Sequence, residues 1–98
     1  MRIISIKKLQ DFWQGGNANA EQSLKAWYQT FKQGNFSSPS DIKKLFPHSS
    51  FVGNNRVVFN IAGNKYRLVV FIRYDIGIVY IRFIGTHAEY DKIKVSEV

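Results

Sequence analysis

The chain has 98 residues, of which 45% are hydrophobic and 15% are aromatic. A chain of this length folds as one domain, residues 1–98, and its apolar content excludes a disordered tail. The absence of cysteine excludes a disulfide scaffold, a thiolate zinc site and a cysteine nucleophile. No apolar run approaches the ~20 residues of a membrane span, and the first residues lack a signal-peptide pattern. We therefore expect a cytoplasmic domain with no membrane contact.

The charge balance indicates a polyanionic partner. Fourteen Lys and Arg residues face seven Asp and Glu residues, which gives a net charge of +7. An excess of this size on a small domain is typical of proteins that bind nucleic acid. The alternative is that the lysines serve only to keep the domain soluble.

The first half of the chain is predicted to be helical after a short strand within residues 1–6. A first helix is indicated by apolar residues at helical spacing, namely Ile6, Leu9, Phe12 and Trp13. Gly15 and Gly16 end it. A second helix is indicated by an apolar stripe formed by Ala20, Leu24, Trp27, Tyr28 and Phe31.

Polar, glycine and proline residues mark further helix boundaries. Asn19 with Gln22 three residues on resembles a capping box, which predicts the start of the second helix there. Gly34 ends this helix. Pro39 opens a short third helix that runs through residue 46, and Pro47 closes it.

The second half of the chain is predicted to be a β-meander, because β-branched and aromatic residues dominate it. The predicted strands are residues 56–61, 65–74 and 78–84, with turns at residues 63–64 and 75–77. The order of elements predicts an α+β domain, in which a small antiparallel-dominated sheet has two N-terminal helices packed on one face.

The middle strand of this meander has two chemically different faces. Side-chain alternation puts an apolar set on the core side, namely Tyr66, Leu68, Val70, Ile72 and Tyr74. The other side carries the cations Lys65, Arg67 and Arg73. A sheet face of this kind suits RNA, since guanidinium groups bind phosphates and aromatic rings stack on bases. The alternative is an ordinary solvated sheet face.

The pairing of the last two strands decides which residues join that basic face. With a two-residue loop, Arg73 lies opposite Tyr80 and Phe71 lies opposite Arg82. Tyr80 and Arg82 then extend the basic face, whereas a different loop could turn the last strand over.

His87 is the candidate group for proton transfer. It follows the last predicted strand in the segment THAEYD, where several arginines are close by, and a histidine can exchange a proton near neutral pH. Tyr90 shares its side if this segment is helical. Glu89 and Asp91 either orient His87 or cap a helix. The alternative is a solvated bystander, as we expect for His48.

These residues could cleave RNA without a metal ion or cofactor. The reaction needs a base for the 2′-OH, an acid for the departing 5′-oxygen and cations for the phosphorane. The groups that could supply them are His87, Arg67, Arg82, Tyr90 and Lys65. The sequence has no Walker-type loop, nucleophile elbow or carboxylate cluster for Mg²⁺, so no metal site is predicted.

Lysines on the predicted helices suggest a second basic surface. Lys25 and Lys32 lie seven residues apart, which is two turns along one side of the second helix. We expect them to contact ribosomal RNA while the sheet binds mRNA. The alternative is a routine solvated helix face.

Two segments carry a family resemblance that extends over essentially the whole chain. They are residues 58–70, VFNIAGNKYRLVV, and residues 79–92, in which YIRF precedes THAEYD. The sequence resembles the HigB toxins of bacterial type II toxin–antitoxin modules, a branch of the RelE/ParE superfamily. The resemblance implies the RelE-like fold and an mRNA interferase that cuts mRNA, typically on the translating ribosome. It also implies a HigA-type helix-turn-helix antitoxin as partner, with operator DNA bound only through that antitoxin.

The same resemblance implies roles for particular residues. Arg67 in NKYRLVV and Arg82 in YIRF would bind and stabilise the scissile phosphate, and His87 would be the acid or base. Tyr90 would position a base or the RNA backbone, and Asp91 matches the same motif. The rival hypotheses are a ParE-like toxin that acts on a DNA-handling protein and an RNA-binding module without catalysis. A ParE-like toxin would not need His87 and its cationic neighbours, whereas an RNA-binding module would keep the basic face but be indifferent to His87→Ala.

Overall fold

Five strands and four α-helices make up the fold in the computed structural model, which describes all residues from Met1 to Val98. In chain order they are β1 (Arg2–Ile4), α1 (Lys7–Gln14), α2 (Glu21–Gln33), α3 (Pro39–Leu45), β2 (Ser50–Val52), β3 (Arg56–Ile61), β4 (Tyr66–Arg73), β5 (Ile78–Thr86) and α4 (His87–Tyr90). Short 3₁₀ turns cover Ala18–Ala20 and Val95–Glu97. No helix is both long enough and apolar enough to cross a membrane.

One mixed sheet contains all five strands, in the order β1-β5-β4-β3-β2. Only β1 and β5 are parallel, and the other three pairs are antiparallel. The predicted α+β class with an antiparallel-dominated sheet is therefore confirmed. The sequence analysis missed β2, a three-residue edge strand that pairs only with β3.

The core lies between one face of the sheet and the helices α1, α2 and α3. Four of the five residues predicted for the core side of this strand are buried, namely Tyr66, Leu68, Val70 and Ile72. The fifth, Tyr74, lies one residue beyond the end of β4 and is partly buried against the core. The four buried residues belong to one cluster with helix residues Leu9, Leu24, Trp27, Phe31 and Ile42. The predicted apolar stripe of α2 thus packs on the sheet as expected for an amphipathic helix.

Phe31 is the centre of this core. Its ring centroid lies 4.7 Å from those of Trp27 and Phe36, 5.3 Å from Phe59 and 5.5 Å from Phe46. These partners come from α2, from the segments flanking α3 and from β3. One side chain therefore holds the second helix, the short third helix and the sheet together.

The predicted capping box at Asn19 is wrong. Asn19 lies inside the 3₁₀ turn Ala18–Ala20, and α2 begins at Glu21 with no side-chain hydrogen bond at its cap. A capping side chain needs an extended backbone in front of the helix. Here the 3₁₀ turn continues directly into α2, and Ala20 already has helical angles of φ −83° and ψ −17°.

The predicted turn at residues 63–64 is also wrong, because the loop between β3 and β4 has four residues. Ile61 lies opposite Tyr66, so residues 62–65 form the loop. Ala62 and Gly63 have φ values of 52° and 71°, in the left-handed region. Lys65 consequently belongs to the loop and not to the strand.

The predicted register between β4 and β5 is wrong by two residues. Arg73 lies opposite Ile78 and Phe71 lies opposite Tyr80, since the loop at residues 74–77 has four residues. An even shift moves the pairs along the strands but keeps every side chain on its predicted face. Arg73, Phe71 and Tyr80 therefore still share the face opposite the core.

A β-bulge interrupts this pairing between Val69 and Val70. Val70 lies opposite Ile81 and Val69 lies opposite Phe83, which leaves Arg82 as the extra residue of β5. A bulge changes the phase of the alternation beyond it. As a result Phe83 joins the face opposite the core, while Ile84 packs against the core.

Replacing Phe31 with alanine tests the position of this side chain in the core. We expect Phe31→Ala to lower the free energy of unfolding by ~3–5 kcal/mol, because the site is enclosed by rings on several sides. Phe51→Ala is the matched control, since Phe51 is 40% exposed on the edge strand, and it should cost about 1 kcal/mol or less. Urea denaturation of both variants provides the measurement, and equal losses would contradict the assignment.

Candidate active site

The outer face of the sheet, turned away from α1, α2 and α3, carries the candidate site. Its side chains include Arg56, Arg67, Phe71, Arg73, Tyr80, Arg82 and Phe83. Helix α4 lies at one end of this face. Val98, at the end of the tail, residues 92–98, contacts Arg56 and Arg82 on its other part. The predicted basic and aromatic face is therefore present, with the corrected register described above.

A capping box builds α4, the helix that carries His87. The Thr86 Oγ1 accepts a hydrogen bond from the Glu89 N–H at 3.2 Å, and the Glu89 carboxylate accepts one from the Thr86 N–H at 2.8 Å. Two backbone donors at the start of the helix are satisfied in this way. The hydrogen bonds from Thr86 hold the pKa of the Glu89 carboxyl below its ordinary value of 4.5.

Gly85 leaves room for this arrangement. A methyl group on its Cα would lie 2.6 Å from the ring of Phe83 and 3.1 Å from the carboxylate of Glu89. The glycine therefore lets both side chains lie over the end of β5.

His87 is fixed at the first position of α4 by its own backbone. Its N–H donates to the Lys65 carbonyl at 3.2 Å, which ties α4 to the loop between β3 and β4. The imidazole Nδ1 lies 3.4 Å from the Asp91 carboxylate. The two side chains are 55% and 60% exposed, so a substrate can reach them. Of the two carboxylates near His87, Glu89 caps the helix and Asp91 lies beside the imidazole.

Arg67 and Tyr90 complete the same corner. The Arg67 guanidinium lies 5.9 Å from the centroid of the Tyr90 ring, and this ring lies 6.5 Å from that of His87. Arg67 also donates to the Asn64 carbonyl at 3.2 Å, which directs it toward the loop. We call the four residues Arg67, His87, Tyr90 and Asp91 the active-site corner. Lys65 contacts the active-site corner through its main-chain carbonyl, which accepts the hydrogen bond from the His87 N–H.

Arg82 belongs to a different group on the outer face. Its Nε donates to the main-chain oxygen of Val98 at 3.1 Å, and Arg56 donates to the same oxygen. The Arg56 guanidinium lies 4.8 Å from the Phe71 ring centroid, which stacks on Tyr80 at 5.8 Å. The sequence analysis missed Arg56. The period of two along β3 could have placed it on the outer face, but only the strand pairing puts it over Phe71.

The remaining predicted binding residues lie outside the active-site corner. Arg73 forms two hydrogen bonds with Asp75 in the loop after β4, at 3.0 and 2.8 Å, and this pairing lowers the pKa of Asp75. Lys25 pairs with Glu21 and lies 5.6 Å from the Trp13 ring centroid. Lys32 lies 5.7 Å from the Tyr28 ring centroid. The two lysines are on α2, which covers the opposite side of the sheet.

The chemistry available at the corner is proton transfer and charge stabilisation. A histidine beside a carboxylate can accept or donate a proton, and an arginine can bind a phosphate through two N–H groups. No group of three or more His, Cys, Asp or Glu side chains in the structure could hold a metal ion.

Acid should loosen α4 through Glu89. The pKa of Glu89 is lowered in the folded protein, so its ionised carboxylate stabilises α4. This stabilisation is fully present above pH 4.5 and is lost as the pH falls through the lowered pKa. We expect the Thr86 amide resonance to move in NMR spectra over that range. In Glu89→Gln, which keeps an acceptor oxygen but does not titrate, the movement should disappear. A Thr86 amide that titrates equally in both proteins would contradict this account of the cap.

Comparison with known proteins gives one family and several relatives. The family described as HigB_toxin, RelE-like toxic component of a toxin-antitoxin system, matches residues 20–93. The mRNA interferase toxin HigB of Escherichia coli strain K12 is 31% identical over 93 residues, which are 93% of this chain and 88% of that protein. The mRNA interferase HigB of Escherichia coli O6:H1 is 30% identical over 77 residues, covering 76% of this chain and 75% of that protein.

Proposed function

The chain belongs to the HigB family, the RelE-like toxic components of toxin–antitoxin systems, and we propose from this that it is an mRNA interferase. In this function it is an endoribonuclease that stops translation by cutting mRNA. The observation that carries the proposal is the active-site corner, where the capped α4 holds His87 and Asp91 beside Arg67 and Tyr90.

The proposed reaction is attack of a ribose 2′-oxygen on the adjacent phosphorus. A base takes the proton of the 2′-OH, the new bond joins O2′ to phosphorus, and the bond from phosphorus to O5′ breaks. An acid gives a proton to the departing O5′. The products are one strand that ends in a 2′,3′-cyclic phosphate and one strand that begins with a 5′-hydroxyl.

The residues of the corner divide these tasks. His87 is the proton-transfer group, and Asp91 at 3.4 Å orients its imidazole and stabilises the imidazolium. Arg67 binds the scissile phosphate and offsets the charge that develops on it. Tyr90 holds the RNA backbone or positions the second proton-transfer group. Arg82 and Lys65 add positive charge for the RNA.

The partners of this reaction follow from the same proposal. The toxin–antitoxin family implies an antitoxin and, with interferase activity, an mRNA substrate. We further propose that the antitoxin is of the HigA type and alone contacts operator DNA. Lys25 and Lys32 lie on the helix side of the sheet, away from the active-site corner. We propose that they contact ribosomal RNA while the outer face holds the mRNA.

Removal of the His87 imidazole tests the proposal in growing cells. We expect the wild-type chain to arrest growth and to create new mRNA 5′ ends inside translated frames. His87→Ala should lower cleavage by ~10²–10⁴-fold, the usual contribution of one acid–base group. His48→Ala is the matched control, because His48 lies outside the corner in the segment after α3, and it should cut like the wild type.

Two results would contradict the proposal. Growth arrest without new 5′ ends would mean that the target is not mRNA, as for a ParE-like toxin. Cleavage by a folded His87→Ala protein at the wild-type rate would show that His87 takes no part in the chemistry.

A further inference from the structure

Two guanidinium groups on the outer face converge on a single oxygen atom. The Nε and Nη2 of Arg56 donate to the main-chain oxygen of Val98 at 3.2 and 2.6 Å, and the Nε of Arg82 donates to it at 3.1 Å. We call Arg56 and Arg82 the arginine pair. No acidic side chain forms a salt bridge with either arginine.

The tail brings Val98 to the arginine pair. It continues from α4 through the 3₁₀ turn Val95–Glu97, and the Ser96 carbonyl accepts a hydrogen bond from the Asn54 Nδ2 at 3.2 Å. Asn54 belongs to the loop between β2 and β3, where its φ is 62°. Polar side chains of the loop and of the outer face therefore donate hydrogen bonds to the tail, and Ser96 and Val98 belong to neither a strand nor an α-helix.

The arginine pair suits an oxyanion. Two neighbouring guanidinium groups repel each other, and each presents a fork of donors that suits an oxyanion with more than one acceptor. A phosphodiester offers a full negative charge and two non-bridging oxygens, so it can pair with both groups.

The surroundings of the arginine pair suit a nucleotide. Arg56 lies over the Phe71 ring, and Phe71 stacks on Tyr80, which is partly exposed. Aromatic rings next to a phosphate site can stack on an RNA base. The arginine pair and the rings of Phe71 and Tyr80 thus lie side by side on the outer face.

The arginine pair is adjacent to the active-site corner but separate from it. Arg67 of the corner lies opposite Gly85 of β5, and Arg82 precedes Gly85 by three positions. At the rise of a β-strand this is about 10 Å, with Phe83 in between. An RNA strand that enters the corner and follows β5 would pass over the pair.

We propose that Arg56 and Arg82 form a phosphate subsite for single-stranded RNA, and that residues 95–98 occupy this subsite until RNA displaces them. The subsite deepens the proposed function and rests on it, since it takes the substrate of that reaction. Arg82 then binds the RNA next to the scissile position, and Arg56 is a binding residue that the sequence analysis did not identify. The tail acts as a competitor for the RNA.

RNA binding by tail variants tests this inference. The probe is a fluorescent 2′-O-methyl RNA, which lacks the attacking hydroxyl and so reports binding without cleavage. We expect removal of residues 95–98 to tighten binding by about three- to tenfold, because the competing hydrogen bonds are lost. A plot of the logarithm of the RNA association constant against the logarithm of salt concentration should have a slope steeper by ~0.7. This change corresponds to one more phosphate contact on a single strand.

Three variants separate competition from a general charge effect. Glu97→Gln removes the one acidic side chain of the tail but leaves the Val98 oxygen in place, so it should tighten binding less than the deletion. Asn54→Gly removes the hydrogen bond to the Ser96 carbonyl but keeps the whole tail, so it should also tighten binding. Glycine readily adopts the positive φ of this position. In Arg56→Gln, deletion of the tail should give no gain, as a double-mutant cycle would show.

Unchanged or weaker RNA binding after both tail deletion and Asn54→Gly, in proteins that melt like the wild type, would overturn the inference. An equal gain with and without Arg56 would also overturn it. These outcomes are distinct from failure of the interferase proposal, which is decided by cleavage of unmodified mRNA. The tail could compete at the arginine pair even in a protein that binds RNA without cutting it.

Discussion

Strand β4 carries its apolar and its cationic residues on opposite faces, and burial of the apolar face fixes the orientation of the whole sheet. Tyr66, Leu68, Val70 and Ile72 pack against the helices, while Arg67, Phe71 and Arg73 face away. A slip of one residue would put guanidinium groups into the core, at a cost that a small domain cannot offset. The apolar core therefore determines which charges the outer face presents to RNA.

The active-site corner depends on short-range hydrogen bonds added to this rigid sheet. Helix α4 has four residues and none of them is buried, so its stability rests on the capping box of Thr86 and Glu89 and on the hydrogen bond from His87 to Lys65. His87 and Asp91 are then positioned by a backbone that begins at the end of a central strand. The tail accepts hydrogen bonds from Asn54 and from the arginine pair.

The sequence predicted the features that depend on local periodicity. The stripe of α2, the faces of β4 and the helical turn that brings Tyr90 toward His87 all follow from spacing. Features that depend on loop conformation were missed: the left-handed Ala62 lengthened one loop and moved Lys65 out of its strand. The contact of Arg56 with Val98 joins residues 42 positions apart, so no local pattern could indicate it.

The chemistry of the cut ends tests the central claim most directly, because it reports which oxygen attacked the phosphorus. RNA from cells that express the wild-type chain can be labelled at its 5′ ends by a kinase, with and without prior phosphatase treatment. Attack by the 2′-oxygen predicts that the new ends inside translated frames carry a 5′-hydroxyl and are labelled without phosphatase. New ends that carry a 5′-phosphate would contradict the account, since they require water as the nucleophile and a different site.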